Sequence, residues 1–315
     1  MVAQPKVSKD WSSAKLIEAF GADLEFSREL ASLTSYETGG PARYFLVARS
    51  SDEVVRAIKG AARLEIPFFV IGGGSNLLVS DSGFDGLVIK LEIMGLRRVD
   101  SNLVEVGGGE QLFDLVNFAT EQELTGLEFA AGIWGSVGGA IYGNAGAFGG
   151  EVGQALEKAT LVDANGSVKT VMREYLKFDY RHSYLKETKE IVAQAYFRLV
   201  PGDGTAIEAE VNRILSHRAE RHPDRRTAGC FFRNIPDATQ EHGKLPAGKL
   251  LEEVGAKDLC VGGARVFAKH ANIIVNSGGA TSKDIRQLAD ILKQRVWDRF
   301  GIALQEEVQQ LGSFS

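Results

Sequence analysis

At 315 residues the chain exceeds the roughly 100–200 of a single domain, so about two domains are expected. Its 44% hydrophobic and 24% charged residues exclude an intrinsically disordered protein. The formal net charge of -5 excludes the broad basic surface of a general nucleic-acid binder, so any phosphate is held locally.

Residues 1–26 read as a polar, partly helical lead-in, with Trp11, Leu16, Ile17 and Phe20 at loosely helical spacing. They contain no signal-peptide core, and no later run approaches ~18 apolar residues without a charge, which predicts a cytoplasmic protein with no membrane partner. From Ser51 a helix begins with a Ser/Asp N-cap, places Val54, Val55, Ile58 and Ala62 on one face, and stops before Pro67. Two apolar strands follow, Phe68 to Ile71 and GLVIKL from Gly86, separated by a glycine turn. Arg98 to Gly107 alternates as a strand does, and Gln111 to Gln122 predicts a helix with Leu112, Leu115, Val116 and Ala119 inward. The glycine-rich run FAAGIWGSVGGAIYGNAGAFGGEVG fits no single regular element. Strands at Ala159 to Val162 and Ile191 to Leu199 flank an Asn165-Gly166 turn and the segment FDYRHSYLK.

The PGDG stretch at Pro201 to Gly204 marks a boundary. Beyond it come a helix from Ala206 to Ala219, a basic loop from Arg221 to Gly229, and a helix in LPAGKLLEEVGAKDL stopped by Gly255. A last helix runs from Ser282 to Phe300, capped by Thr281 or Ser282, with Ile285, Leu288, Ile291 and Leu292 inward and Gly301 just past its end. The chain closes on the apolar-polar run IALQEEVQQLG, read as a strand. The class is α+β.

Two cysteines, Cys230 and Cys260, and five scattered histidines form no metal-ligand or disulfide spacing, so no metal is expected. Glycine is the outlier, 36 of 315 residues or about 11% where roughly 7% is usual, concentrated between Gly72 and Gly153. GGGSN at Gly72 to Asn76 is either a cradle of backbone N–H groups for an anion or a tight turn that binds nothing. It is neither a Walker loop nor the GxGxxG fingerprint. Two glycine loops in adjacent units point to one long ligand, and a dinucleotide has that length.

The ordered motifs GGPARYF, IPFFVIGGGSNLLVSDSGFDGLVIKL, AGIWGSVGGAIYGNAGAFGGEV, FDYRHSYLK, AGCFFRN, AGKLLEEVG, GGARVFAKHANIIVN and LQEEV resemble the UDP-N-acetylenolpyruvoylglucosamine reductase family. The resemblance runs from about Leu30 to Gly312 and fits the shorter subclass that lacks the long substrate-covering insert. It implies a two-part FAD-binding region of the vanillyl-alcohol-oxidase (PCMH) type and a smaller α+β substrate-binding domain. The expected divisions are a lead-in at 1–26, an FAD-binding region at 27–202 with subdomains about 27–95 and 96–202, a substrate domain at 203–300, and a closing strand at 301–315 carrying a carboxylate.

The resemblance also implies the chemistry. NADPH would reduce a non-covalent FAD, and the UDP-sugar's enolpyruvyl group would then take the hydride, yielding a peptidoglycan precursor. Gly72, Gly73, Gly74, Ser75 and Asn76 would hold the diphosphate, with Ser136, Gly138, Gly139, Asn144 and Gly146 as further FAD contacts. Arg181 would bind the substrate carboxylate and stabilise the enolate-like charge, although an isolated Arg is more often a surface ion pair. Cys230 would donate the proton where most of the family has serine; otherwise it is a small buried hydrophobe, the reading given to Cys260. Glu307 matches the last catalytic carboxylate, but Glu306 stands where the family has proline, and strict alternation with Ile302, Leu304 and Val308 favours Glu306 as the inward residue. Asn234, His270 and, more loosely, Arg221 match positions for the UDP and sugar. Trp134 departs from the family's proline within GIxG. The expected enzyme is a monomer with no nucleic-acid partner.

Two rivals remain. A flavin oxidase of the same fold that tethers FAD to His or Cys would lack its residue, since no His precedes His182 and no Cys precedes Cys230. A nucleotide-sugar binding protein without catalysis would not need Arg181, Cys230 and a carboxylate together.

Overall fold

A computed structural model describes residues 11–224, 226–240 and 243–314. The chain divides into two compact units. The first comprises residues 1–28, 42–73 and 85–217, and the second 29–41, 74–84 and 218–315.

In the first unit a four-stranded sheet has the order Glu25–Glu29, Pro41–Ala48, Phe84–Leu91, Phe68–Ile71, the last two parallel. Helices Ser13–Phe20 and Ser51–Arg63 pack on it, burying Leu16, Phe20, Val54 and Ile58 with Leu46, Leu87 and Ile89. Ser50, one residue earlier than expected, caps the second helix by accepting from the Glu53 N–H at 3.2 Å. Its buried face is Val54, Ala57, Ile58 and Ala61, with Val55 partly buried against the same core, while the expected Ala62 is exposed. The cause is tertiary: a Cβ at Gly60 would lie 2.9 Å from the Ala19 carbonyl, so the helix Ser13–Phe20 crosses on that side. Ile17 of that crossing helix is exposed, and the lead-in's first ten residues fall outside the described chain.

A second, antiparallel sheet has the order Val168–Met172, Leu156–Val162, Ile191–Arg198, Leu103–Gly107, Leu96–Arg98. Helix Leu112–Glu121, bounded by Gln111 and Gln122, buries the expected Leu112, Leu115, Val116 and Ala119 against it. The glycine-rich run folds as a short helix, Val137–Gly143, and two two-residue strands.

The second unit holds a three-stranded antiparallel sheet, Cys260–Val261, Ala264–Phe267, His270–Asn276, against helices Ala247–Glu253 and Ser282–Phe300. The last helix has a capping box: Thr281 Oγ1 accepts from the Asp284 N–H and the Asp284 carboxylate accepts from the Thr281 N–H, both at 3.0 Å. It ends on Gly301 at φ 68°, and its buried face gains Ala289 and Val296 beside Ile285, Leu288 and Leu292. Of the closing run, Gln309–Leu311 pairs parallel with Leu77–Val79, while Glu306 forms a single bridge with Phe232. Cys260 is exposed, not a buried hydrophobe, because it opens a two-residue edge strand. Among the described residues no helix is long and apolar enough to cross a membrane.

Candidate active site

The turn after Phe68–Ile71 meets the second glycine run at backbone range within the first unit. A Cβ on Gly72 would lie 2.1 Å from Ser136 Oγ, and one on Gly73 2.6 Å from the Gly135 Cα. Ser136 is buried and its hydroxyl already accepts from the Gly139 N–H at 3.2 Å, so it cannot swing aside freely. Only bare glycine lets the loops approach so closely. The Gly138 N–H donates to the Gly108 carbonyl at 2.8 Å, which anchors the second loop to the sheet side. Lys90, which the sequence reading did not single out, donates its ammonium to the Gly72 carbonyl. Burial lowers the pKa of Lys90, opposed by Glu92. Its only sequence signal is a charge inside the apolar strand GLVIKL.

The same unit gathers Asn144, Gly146 and Arg181. Asn144, fully buried and left-handed at φ 45°, ends the helix Val137–Gly143. Its amide donates to the Asp179 carbonyl at 2.9 Å and accepts from the Gly153 N–H at 3.0 Å. The turn it holds carries Arg181 at φ 52°, a strained backbone for a non-glycine residue. The Arg181 guanidinium donates to the Gly146 carbonyl at 2.7 Å and lies 5.2 Å from the Tyr180 ring centroid, while Lys186 donates to the Arg181 carbonyl at 2.7 Å. Asn144→Ala is expected to lower unfolding free energy by about 2–4 kcal/mol, since it orphans two backbone partners. Urea unfolding checks this, and an unshifted midpoint would show the two hydrogen bonds to be dispensable.

In the second unit Gly74, at φ 64°, tucks against the Leu33 carbonyl, which a Cβ would approach to 1.9 Å. Asn76 donates its amide to the Glu307 carbonyl at 3.2 Å, and the Glu307 N–H donates to the Phe231 carbonyl at 2.8 Å. Asn76, Glu307 and the residue after Cys230 are thus tied together; Ser75 is half-buried beside Asn76. Cys230 itself is half-buried and bridges Ile273. Behind it, buried Asn272 accepts from the Phe231 and Phe232 N–H groups at 2.8 and 2.9 Å and donates to the Phe232 carbonyl at 2.8 Å. The Asn272 N–H in turn donates to His270 Nδ1 at 3.3 Å.

Glu306 and Glu307 part company here. The Glu306 carboxylate accepts from Arg286 through both oxygens and from Lys293, all at 3.0 Å. Alternation therefore identified the inward residue, but inward means toward the helix Ser282–Phe300. Asn234 accepts from the Ala247 N–H at 3.1 Å, at the start of the helix Ala247–Glu253. Arg221 ends the helix Gly204–Arg221, and His222, one of the scattered histidines given no role from the sequence, lies with its ring centroid 5.6 Å from that of His270 and tilted 43° to it.

Burial lowers the pKa of His270, with Glu252 opposing and Lys257 and Arg221 adding to the fall. The unfolded chain therefore takes up this proton more readily than the folded one. Stability should be intact above about pH 6.5 and decline as pH falls below it, as the proton also removes the Nδ1 acceptor. Melting temperatures recorded from pH 7.5 down to 5 should show a shallower acid decline in His270→Gln; parallel curves would exclude His270 as its source.

Family models described as FAD binding domain and as UDP-N-acetylenolpyruvoylglucosamine reductase, C-terminal domain, match residues 42–172 and 221–311. A protein named UDP-N-acetylenolpyruvoylglucosamine reductase from Lactobacillus delbrueckii subsp. bulgaricus is 39% identical over 297 residues, covering 94% of this chain and 98% of that protein. One of the same name from Heliobacterium modesticaldum is 40% identical over 281 residues, covering 89% and 88%. The crystal structure of UDP-N-acetylenolpyruvylglucosamine reductase (MurB) from Thermus caldophilus matches with a TM-score of 0.76 and 33% identity, covering 92% of this chain and 98% of that one. On an α+β fold with an FAD-binding domain in its first half, the chain belongs to the UDP-N-acetylenolpyruvoylglucosamine reductase family.

Proposed function

We propose that this protein reduces UDP-N-acetylenolpyruvoylglucosamine to UDP-N-acetylmuramate for peptidoglycan synthesis, using NADPH and non-covalent FAD, as a cytoplasmic monomer without nucleic-acid partners. The observation that carries the reading is one unit that holds both a backbone-to-backbone glycine cradle and Arg181 tethered to that cradle's second loop. The paired loops suit FAD: only bare glycine at Gly72 and Gly73 lets them meet at backbone range, and the Lys90 ammonium on the Gly72 carbonyl adds positive charge beside them. Bound flavin supplies two-electron storage between a nicotinamide donor and an enolpyruvyl acceptor.

The chain's own residues supply the rest. Arg181 takes the substrate carboxylate in its planar fork and offsets the negative charge that develops beside it. Cys230 gives a proton to the carbon next to the carboxylate, and Glu307 relays that proton. Capture of Glu306 by Arg286 and Lys293 supports Glu307 over Glu306 for that task. Arg221, Asn234 and His270 hold the UDP and sugar. Residues 27–202 carry the cofactor and 203–300 the substrate, with the carboxylate in 301–315.

The test is anaerobic. NADPH should bleach the visible flavin spectrum, and added UDP-N-acetylenolpyruvoylglucosamine should restore it. Restoration by air alone would assign the chain to an oxidase of another substrate. Absence of any bindable flavin would remove the cofactor from the reading.

A further inference from the structure

We infer, on the basis of the reductase reading above, that Glu306 is a positioning residue which sets the segment presenting Glu307. Its side chain keeps only 16% of its surface exposed. Arg286 grips both carboxylate oxygens through Nη1, Lys293 grips Oε1, and Gln310 donates to Oε2 at 2.6 Å. Arg286 is itself held by Asp290 at 2.8 and 3.1 Å, so the clamp is a network anchored on the helix Ser282–Phe300. Separating one member would leave cations and a carboxylate uncompensated in a partly buried place.

The geometry makes this anchor matter one residue later. Around the Phe232–Glu306 bridge the Arg233 N–H donates to the Gln305 carbonyl at 2.9 Å and the Glu307 N–H to the Phe231 carbonyl at 2.8 Å. The backbone is therefore extended there, and successive side chains leave on opposite sides. Leu304 and Val308 are buried on the Glu306 side. With Glu306 pinned toward the last helix, Glu307 leaves on the other side, its carbonyl held by Asn76. A slip of one residue would exchange the two carboxylates.

An isosteric amide separates the roles. Glu306→Gln keeps one carbonyl oxygen to accept from Arg286 and Lys293 but loses the charge and the second acceptor, so the clamp survives in part, whereas Glu307→Gln loses the ionisable group at the presented position. In anaerobic stopped-flow, Glu306→Ala should bleach with NADPH at the wild-type rate. Its reoxidation by substrate should slow by about 100-fold, the order of loss from misplacing a reacting group by an ångström. Glu306→Gln should restore part of that rate, and Glu307→Gln should not match it. Wild-type reoxidation in Glu306→Ala, or no recovery in Glu306→Gln, overturns the inference. Should Glu306→Ala lose its fold, seen as a fall in melting temperature and flavin content, Lys293→Met takes its place: slowed reoxidation supports the clamp and a wild-type rate overturns it. Wild-type protein that fails to reoxidise with this substrate would defeat the reductase reading itself and is recorded first.

Discussion

Alanine at Gly73 is expected to give a protein that purifies with much of its flavin lost. The added Cβ would lie 2.6 Å from the Gly135 Cα and 3.0 Å from both the Gly135 carbonyl carbon and the Ser136 nitrogen. These are backbone atoms, and no rotamer change moves them. Nor can the opposing loop retreat cheaply. The Leu112 N–H donates to the Gly135 carbonyl at 2.9 Å, and the Val137 and Gly138 N–H groups donate to Glu110 and Gly108 at 2.8 Å each. Overpacking of this kind costs typically about 1–3 kcal/mol. If that strain falls on the bound arrangement, FAD affinity drops about 5- to 150-fold. Gly143→Ala is the control, since a Cβ there meets nothing within 4 Å. The measurement is flavin released per protein on heating. A full complement in Gly73→Ala would refute the cradle, and an empty Gly143→Ala would show that any change in this run disrupts binding.

How much of this was legible in the sequence depends on the range of the interaction that fixed it. The helix Ser282–Phe300 was readable at both ends because Thr281, Asp284 and Gly301 act within a turn of it. The edge of the inward face of Ser51–Arg63, where Ala61 and not Ala62 is buried, was not, because the close approach at Gly60 comes from a different helix. The glycine loops were visible as composition, while their mutual contact, which links Gly73 to Gly135, was not. For the paired carboxylates, alternation correctly marked Glu306 as inward. What it could not show is that Arg286 and Lys293, on a separate element, already occupy that carboxylate. Lys90 and His222 carry no role in the sequence for the same reason: a lone charge in a strand and a lone histidine after a helix form no pattern until the fold brings Gly72 and His270 to them.

Removing the thiol is the second large effect. Cys230→Ala should bleach with NADPH at the wild-type rate and then reoxidise with substrate about 10²–10⁴-fold more slowly, the usual worth of a positioned general acid. The backbone gives little ground for an indirect loss. Gly229 turns at φ 77°, and the next two residues are fixed by three hydrogen bonds to buried Asn272, none of which involves the sulfur. Cys230→Ser keeps a transferable proton at the same reach and should recover much of the rate. A serine variant as slow as alanine would mean that thiol acidity is required, because a thiol of ordinary pKa ~8.5 gives up its proton far more readily than an alcohol. An alanine variant reoxidising normally would take Cys230 out of the proton transfer altogether and leave Glu307, tied to the neighbouring Phe231, as the group to test next.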